Sequence, residues 1–312
     1  MHQQDLEAAS ATPVEEKAGA ALRHRALESL CGTAAVSRRG GTLSSAPLRW
    51  LAAAAKSGYS EEMRPIVLLR RLAAFLLLVL ALAPAGARAQ EPCRTVPFDG
   101  AEYAVCTFDL RRYRIDTVLR APDGQPYGSL DKFTRAAEGA ALVAAMNAGM
   151  YQPDLSPAGL YVEKGRMLKP ANTAGGHGNF HLKPNGVFYT SGERAGVLET
   201  GAYLRTKPAA ESATQSGPML VINGRIHPKI SEQGVSRKVR NGVGVRDGRT
   251  VVFAISNGPV TFGEFARLFR DELGCPNALF LDGSISSLYA PSISRRDGFW
   301  PVGPILAASR RT

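Results

Sequence analysis

An aspartate stands alone at the end of an apolar run in Leu279-Phe280-Leu281-Asp282-Gly283-Ser284-Ile285-Ser286-Ser287, and glycine and hydroxyl residues follow it. A carboxylate where a buried strand meets a flexible turn is dry enough to be reactive and open enough to meet a ligand. It can serve as nucleophile or base, with Ser286 and Ser287 as partners for a polar substrate. The same composition also describes a strand-ending turn whose carboxylate bonds backbone N–H groups two residues on.

Other segments carry groups that complement such a carboxylate. Asn147 and Asn257 each close an apolar run and supply the donors and acceptor that sugar hydroxyls need, although a strand terminus alone accounts for each. Arg237-Lys238-Val239-Arg240 gathers three cations ahead of another apolar run; the fork of Arg240 suits a phosphodiester, and a solvated loop is the competing reading. Gly175-Gly176-His177-Gly178-Asn179-Phe180-His181 is a glycine-rich loop able to cradle an anion, with His177 as a general acid or phosphate donor. The loop lacks a helical zinc motif, and Ser216 lies outside a G-x-S-x-G elbow, so neither a metal nor a serine triad is expected.

Positioning these groups requires strands. Runs at Tyr103–Leu110, Arg114–Leu119, Ala141–Met146, Gly186–Tyr189, Met219–Ile222, Gly242–Val245, Val251–Ser256 and Ala278–Leu281 read as strands between glycine and proline punctuation. Asn223-Gly224 reads as a hairpin turn. Ser129 caps a short helix to about Ala137, and Thr261 with Glu264 forms a capping box for a second. Phe262, Phe265, Ala266, Phe269 and Leu273 recur in that helix at core-facing spacing, and Gly274 stops it. Strand 251–256, helix 262–273 and strand 278–281 read as a βαβ unit that brings Asn257 and Asp282 to one sheet edge. The expected class is α+β: a β-rich single domain with a mixed, partly parallel sheet and a few covering helices.

The N-terminal part reads differently. Arg64, Arg70 and Arg71, the apolar run of 12 residues from Leu72 to Ala83, and Ala87-Arg88-Ala89 make a secretory signal at 63–89, cleaved after Ala89. An uncleaved signal anchor is the alternative, and residues 1–62 read as a gene-start artefact or a disordered arm. The remaining domain, 90–312, would be periplasmic or secreted with no stable membrane span after cleavage. It carries 27 Lys and Arg against 20 Asp and Glu, a formal charge of +7 in place of the full chain's +11. That suits an anionic small partner, while the absence of a basic run with interleaved aromatics argues against nucleic acid. Cys93 and Cys106 are 13 positions apart across a first hairpin and fit a disulfide in an oxidising compartment. Cys275, between Gly274 and Pro276, reads as a small buried side chain.

In order along the chain, Met146-Asn147-Ala148-Gly149-Met150-Tyr151, Asn179-Phe180, Pro184-Asn185-Gly186-Val187-Phe188, Ser216-Gly217-Pro218-Met219-Leu220, Arg240-Asn241-Gly242-Val243-Gly244 and Asn277-Ala278-Leu279-Phe280-Leu281-Asp282-Gly283 resemble the phosphodiester glycosidase family. Ser284-Ile285 replaces two glycines of the family pattern and Asn241 replaces a threonine, which fits a bacterial exported branch. The resemblance implies hydrolysis of the bond between an anomeric carbon and a phosphate oxygen, without a cofactor, on a sugar-phosphate-containing substrate of the envelope or extracellular glycan. It casts Asp282 as nucleophile or base, Glu163 as a second carboxylate, Arg240 and His177 as phosphate readers, and Asn147, Asn257 and Asn179 as substrate-binding residues. A noncatalytic periplasmic glycan- or polymer-binding module uses the same groove without needing the carboxylate.

Overall fold

A computed structural model describes residues 91–311, apart from 138–140, 232 and 299. The proposed signal at 63–89 and the segment 1–62 lie outside the described residues. The first sheet contains β1 (Cys93–Phe98), β2 (Ala101–Asp109), β10 (Met219–Ile222), β11 (Arg225–Ile226), β12 (Asn241–Arg246), β13 (Thr250–Ser256) and β14 (Asn277–Phe280), in the spatial order β1-β2-β13-β12-β14-β10-β11. The second contains β3 (Tyr113–Val118), β4 (Leu142–Asn147), β15 (Leu288–Ala290), β16 (Arg295–Arg296) and β17 (Ile305–Arg310), ordered β16-β15-β4-β17-β3. The third orders β5 (Tyr161–Glu163), β6 (Arg166–Lys169), β7 (Gly186–Ser191), β8 (Arg194–Glu199) and β9 (Ser212–Ser216) as β6-β5-β9-β7-β8.

Every strand pairing among the described residues is antiparallel, which corrects the expectation of a mixed, partly parallel sheet. The strand–helix–strand order of 250–280 is present, but β12 lies between β13 and β14 and pairs antiparallel with both. The two outer strands point the same way without touching as a parallel pair. Their near-continuous apolar character, which suggests a parallel sheet, has a different cause. In β13, Val251, Phe253 and Ile255 pack toward the inner core with Phe108, Met146, Leu279 and Leu306, while Val252 and Ala254 pack outward with Phe265 and Phe269. The first sheet is therefore buried on both faces: sheet on one side, helix α3 (Phe262–Arg267) and the π-helical turn Leu268–Glu272 on the other. Each fully buried Phe there contributes about 1.5–3 kcal/mol of apolar transfer.

Local signals take the forms their chemistry requires. Ser129 Oγ accepts from Lys132 N at 3.1 Å to start α1 (Leu130–Ala136), and the Glu199 carboxylate accepts from Gly201 N and Ala202 N to start α2 (Thr200–Thr206). Thr261 and Glu264 bond reciprocally at 3.1 and 2.8 Å to start α3. Asn223 and Gly224 have φ of 48° and 80° between paired Ile222 and Arg225, as a two-residue hairpin turn demands. Cys93 and Cys106 face each other across β1 and β2 and are joined by a disulfide. Cys275 is buried, and burial pushes its thiol up to about 12.

Candidate active site

Two of the sheets meet where β4 and β14 end and β12 begins. Gly242 stands opposite Phe280, so Asn241 faces Leu281, whose N–H donates to the Asn241 carbonyl at 3.1 Å. The next N–H, that of Asp282, donates to the Ala148 carbonyl at 3.2 Å and so ties the first sheet to the segment leaving β4. β15 returns beside β4, with Leu288 opposite Met146. The Asp282–Ser287 loop is thus pinned at both ends by strand pairing.

Asn147, 1% exposed, locks the junction through its side chain. Its Nδ2 donates to the Asp282 carbonyl at 2.8 Å, and its Oδ1 accepts from Ser287 N at 2.8 Å and Asn241 Nδ2 at 2.9 Å. Asn241 Nδ2 also donates to the Asn147 carbonyl at 3.0 Å, and Asn241 Oδ1 accepts from Ser286 Oγ at 3.2 Å. Ser287 Oγ donates to the Ile285 carbonyl at 2.9 Å. Asn147, Ser286 and Ser287 therefore hold the loop that carries Asp282; their polar atoms are spent on the protein. The amides of 147 and 241 each supply both a donor and an acceptor to this alternation.

Asp282 caps the short 3-10 turn Gly283–Ile285, its Oδ1 accepting from Ser284 N at 3.1 Å. Burial raises its carboxyl above the usual carboxylate range, opposed by that one N–H. Tyr151 lies within reach of its charge. Burial first, and then the Asp282 carboxylate, push the Tyr151 phenol up to about 12, while its hydroxyl donates to the Pro301 carbonyl at 2.7 Å. A half-buried carboxylate with a raised pKa, held by a rigid amide network beside a phenol, has the character of a general base.

The remaining expected site residues are placed apart from this network. Arg240 is 1% exposed: its Nε donates to the Val260 carbonyl at 2.9 Å, its Nη2 to the Ser236 carbonyl at 3.0 Å, and its guanidinium lies 3.7 Å from the centre of the Phe262 ring. It anchors the approach to β12 and presents no open fork to a ligand. Asn257 follows β13 at the same sheet edge as Asp282, two strands away, or roughly 10 Å at ordinary strand spacing. Its Oδ1 accepts from Arg295 Nη1 at 2.7 Å. Glu163 belongs to the third sheet and accepts from Tyr161 Oη at 2.8 Å, remote in hydrogen-bond connectivity from Asp282. His177 is exposed in its loop, and Asn179 opens the 3-10 turn Asn179–His181 with its carbonyl accepting from Leu182 N at 3.2 Å.

Several participants carried no clear signal in the sequence. Asn241, noted only as a replacement for threonine, is the central brace. Gln215 holds the segment before the glycine-rich loop: its Oε1 accepts from Leu160 N and Asn172 N, both at 2.9 Å, and its Nε2 donates to the Asn172 carbonyl at 2.8 Å. This close packing explains Gly149 and Gly159, where a Cβ would lie 2.3 Å from the Gln215 carbonyl oxygen and 2.1 Å from its Oε1. The buried Ser216 hydroxyl has no hydrogen-bond partner among the described residues. Among those residues, no group of three or more His, Cys, Asp or Glu is arranged to hold a metal ion.

With this geometry in view, the comparisons with known proteins fall in one direction. The family model described as phosphodiester glycosidase matches residues 140–307, which contain the whole Asn147–Asn241–Asp282 junction. The uncharacterized protein YigE of Escherichia coli (strain K12) is 34% identical over 219 residues, covering 70% of this chain and 83% of YigE. Among solved structures, the catalytic domain of zebrafish N-acetylglucosamine-1-phosphodiester alpha-N-acetylglucosaminidase, auto-inhibited by its pro-peptide, superposes with a TM-score of 0.50 at 14% identity. That match covers 70% of this chain and 82% of the zebrafish chain, and it speaks to the fold.

Proposed function

Because the chain belongs to the phosphodiester glycosidase family, we propose that it is an exported hydrolase that cleaves the glycosidic bond of a sugar-1-phosphodiester in an envelope or extracellular glycan. The observation that carries this reading is Asp282, whose carboxyl is raised by burial at a junction that the Asn147–Asn241 pair holds rigid. Asp282 takes a proton from a water molecule as the water oxygen bonds to the anomeric carbon. The bond from that carbon to the phosphate oxygen breaks, and its electron pair leaves with the phosphomonoester. The departing phosphate is stable as an anion and needs little protonation, so a single carboxylate suffices where ordinary glycosidases use two.

The Tyr151 phenol lies near enough to feel the Asp282 charge, which helps to keep it protonated. The reading rests on Asp282 rather than on Glu163, which is bonded to Tyr161 in the third sheet, or Arg240, whose donors are engaged by carbonyls beside Phe262. Export rests on the 63–89 signal pattern and the Cys93–Cys106 disulfide. The test is turnover of a chromogenic sugar-1-phosphodiester panel by the wild-type protein and its Asp282→Asn variant. The expected result is release of the phosphomonoester by wild type and loss of turnover in a folded variant. A folded Asp282→Asn protein with full activity would remove the base, and binding without turnover of any member would favour the glycan-binding module.

A further inference from the structure

His227 is a buried titratable side chain that the proposed reaction does not use. It follows β11 directly, is 0% exposed, and donates its N–H to the Leu220 carbonyl at 3.0 Å, which carries the β10–β11 contact one step past the paired residues. Pro228 and Lys229 are exposed, and Ile230 turns back inward. Its N–H donates to the His227 carbonyl at 2.9 Å, and its side chain joins Leu220, Phe265 and Phe280 in the helix-side core. The turn 227–230 therefore seats two buried side chains on either side of an exposed tip.

The imidazole closes this turn in one protonation state only. Its Nδ1 accepts from Lys229 N at 3.1 Å, so the neutral ring carries its proton on Nε2. Nε2 is buried and has no hydrogen-bond partner among the described residues. A second proton would sit on Nδ1, donor against the Lys229 N–H, and would place a full charge in a buried site. Among the described residues, no hydrogen bond or ion pair joins the ring to a carboxylate. Of the cations around it, Lys229 stands in the same turn, and Lys183, on the segment beside the ring, sends its ammonium to the Thr173 carbonyl. Burial first, and then the Lys229 charge, hold the ring below its ordinary range, against the weaker pull of the Lys183, His227 and Pro184 carbonyls.

We propose that His227 is an acid-sensitive latch: neutral, it locks the 227–230 turn against β10, and protonated, it expels the Lys229 N–H and releases Ile230 from the core. The connection that begins at this turn ends at the candidate site. There Lys238 and Val260 exchange backbone hydrogen bonds at 3.1 and 2.8 Å, and the Val239 carbonyl accepts from Ser286 Oγ, in the loop of Asp282, at 3.4 Å. Release of the turn lengthens the free span that leads to this brace, so acid loosens one hold on the Asp282 loop. In the open turn the ring regains its ordinary pKa of about 6.5. Opening is therefore independent of pH above that value and grows as pH falls below it.

The test is amide hydrogen exchange followed by NMR, with protection factors for Lys229 and Ile230 set beside those of the buried strand β13. Between about pH 7.5 and about pH 5, wild type should lose about tenfold in protection at Lys229 and Ile230 while β13 keeps its own. His227→Asn retains an acceptor for the Lys229 N–H and cannot take up the proton, so its protection at the turn should be the same at both pH values. His227→Gln replaces it if the asparagine variant does not fold, and the wild-type exchange decides alone if neither does. Protection at Lys229 and Ile230 that persists in acid in wild type, or that falls equally in a folded His227→Asn protein, would overturn the latch. Neither measurement involves turnover, so both outcomes leave the Asp282 reading where it stands.

Discussion

Removal of the Asn147 side chain is the most searching perturbation of the junction. In Asn147→Ala, Ser287 N–H and the Asp282 carbonyl each lose the only side-chain partner they have, and Asn241 Nδ2 keeps one bond of its two. The region is buried, and each orphaned group there costs about 1–3 kcal/mol. Two orphans together with the small cavity left by the missing amide come to about 3–5 kcal/mol. For a domain of this size one kcal/mol is worth about 2–4 °C, so the melting temperature should fall by about 6–20 °C. Thermal and urea unfolding, fitted separately, give the two estimates. Turnover should fall as well, even below the new melting temperature, because the loop carrying Asp282 loses its tie to β4. Ser286→Ala is the comparison: it removes one weaker, half-buried hydroxyl and should cost less than about 1.5 kcal/mol. An Asn147→Ala protein within 1 kcal/mol of wild type, or no less stable than Ser286→Ala, would refute the bracing role and the additive reasoning behind it.

Other outcomes follow from the same geometry. Burial raises the Asp282 carboxyl in the folded state, so its ionised form is penalised: that stability is present below the unfolded pKa and is lost as pH rises through the folded one. Asp282→Asn should accordingly match wild type in acid and melt at the same or a higher temperature at neutral pH; a variant less stable at neutral pH would contradict the burial. As the base must be ionised, kcat/KM should fall on acidification at a pH above that of an ordinary carboxylate, which a pH–rate profile measures. Reduction of Cys93–Cys106 should cost about 3 kcal/mol in urea unfolding by chain entropy, with the fold retained because β1 and β2 remain paired. Iodoacetamide should label Cys275 only after unfolding, since burial holds the thiol at about 12; rapid labelling of the native protein would show an opening that the packing does not contain.

The sequence by itself determined the features whose physics is short-range. The Ser129 cap, the Thr261–Glu264 box, the Asn223-Gly224 turn, and an aspartate at the end of the apolar run Ala278–Leu281 are each decided within a few residues by hydrogen-bond reach and backbone sterics. The Cys93–Cys106 pairing was legible for the same reason, lying across one tight hairpin. Tertiary structure alone decided which strands are neighbours. β12 enters between β13 and β14, and β17 from the far C-terminus enters between β3 and β4, because burial of both sheet faces selects the strand order and periodicity cannot express it. That choice converts an apparent βαβ unit into an antiparallel sheet while keeping Asn257 and Asp282 at one edge. It also reassigns the polar residues. Asn147 becomes a brace because Asn241 arrives opposite it, and Arg240 is drawn under Phe262 because two carbonyls and an aromatic face converge there. A side chain's chemistry can be read from its type; whether its hydrogen bonds are spent on the protein or left for a ligand depends on neighbours distant in the chain.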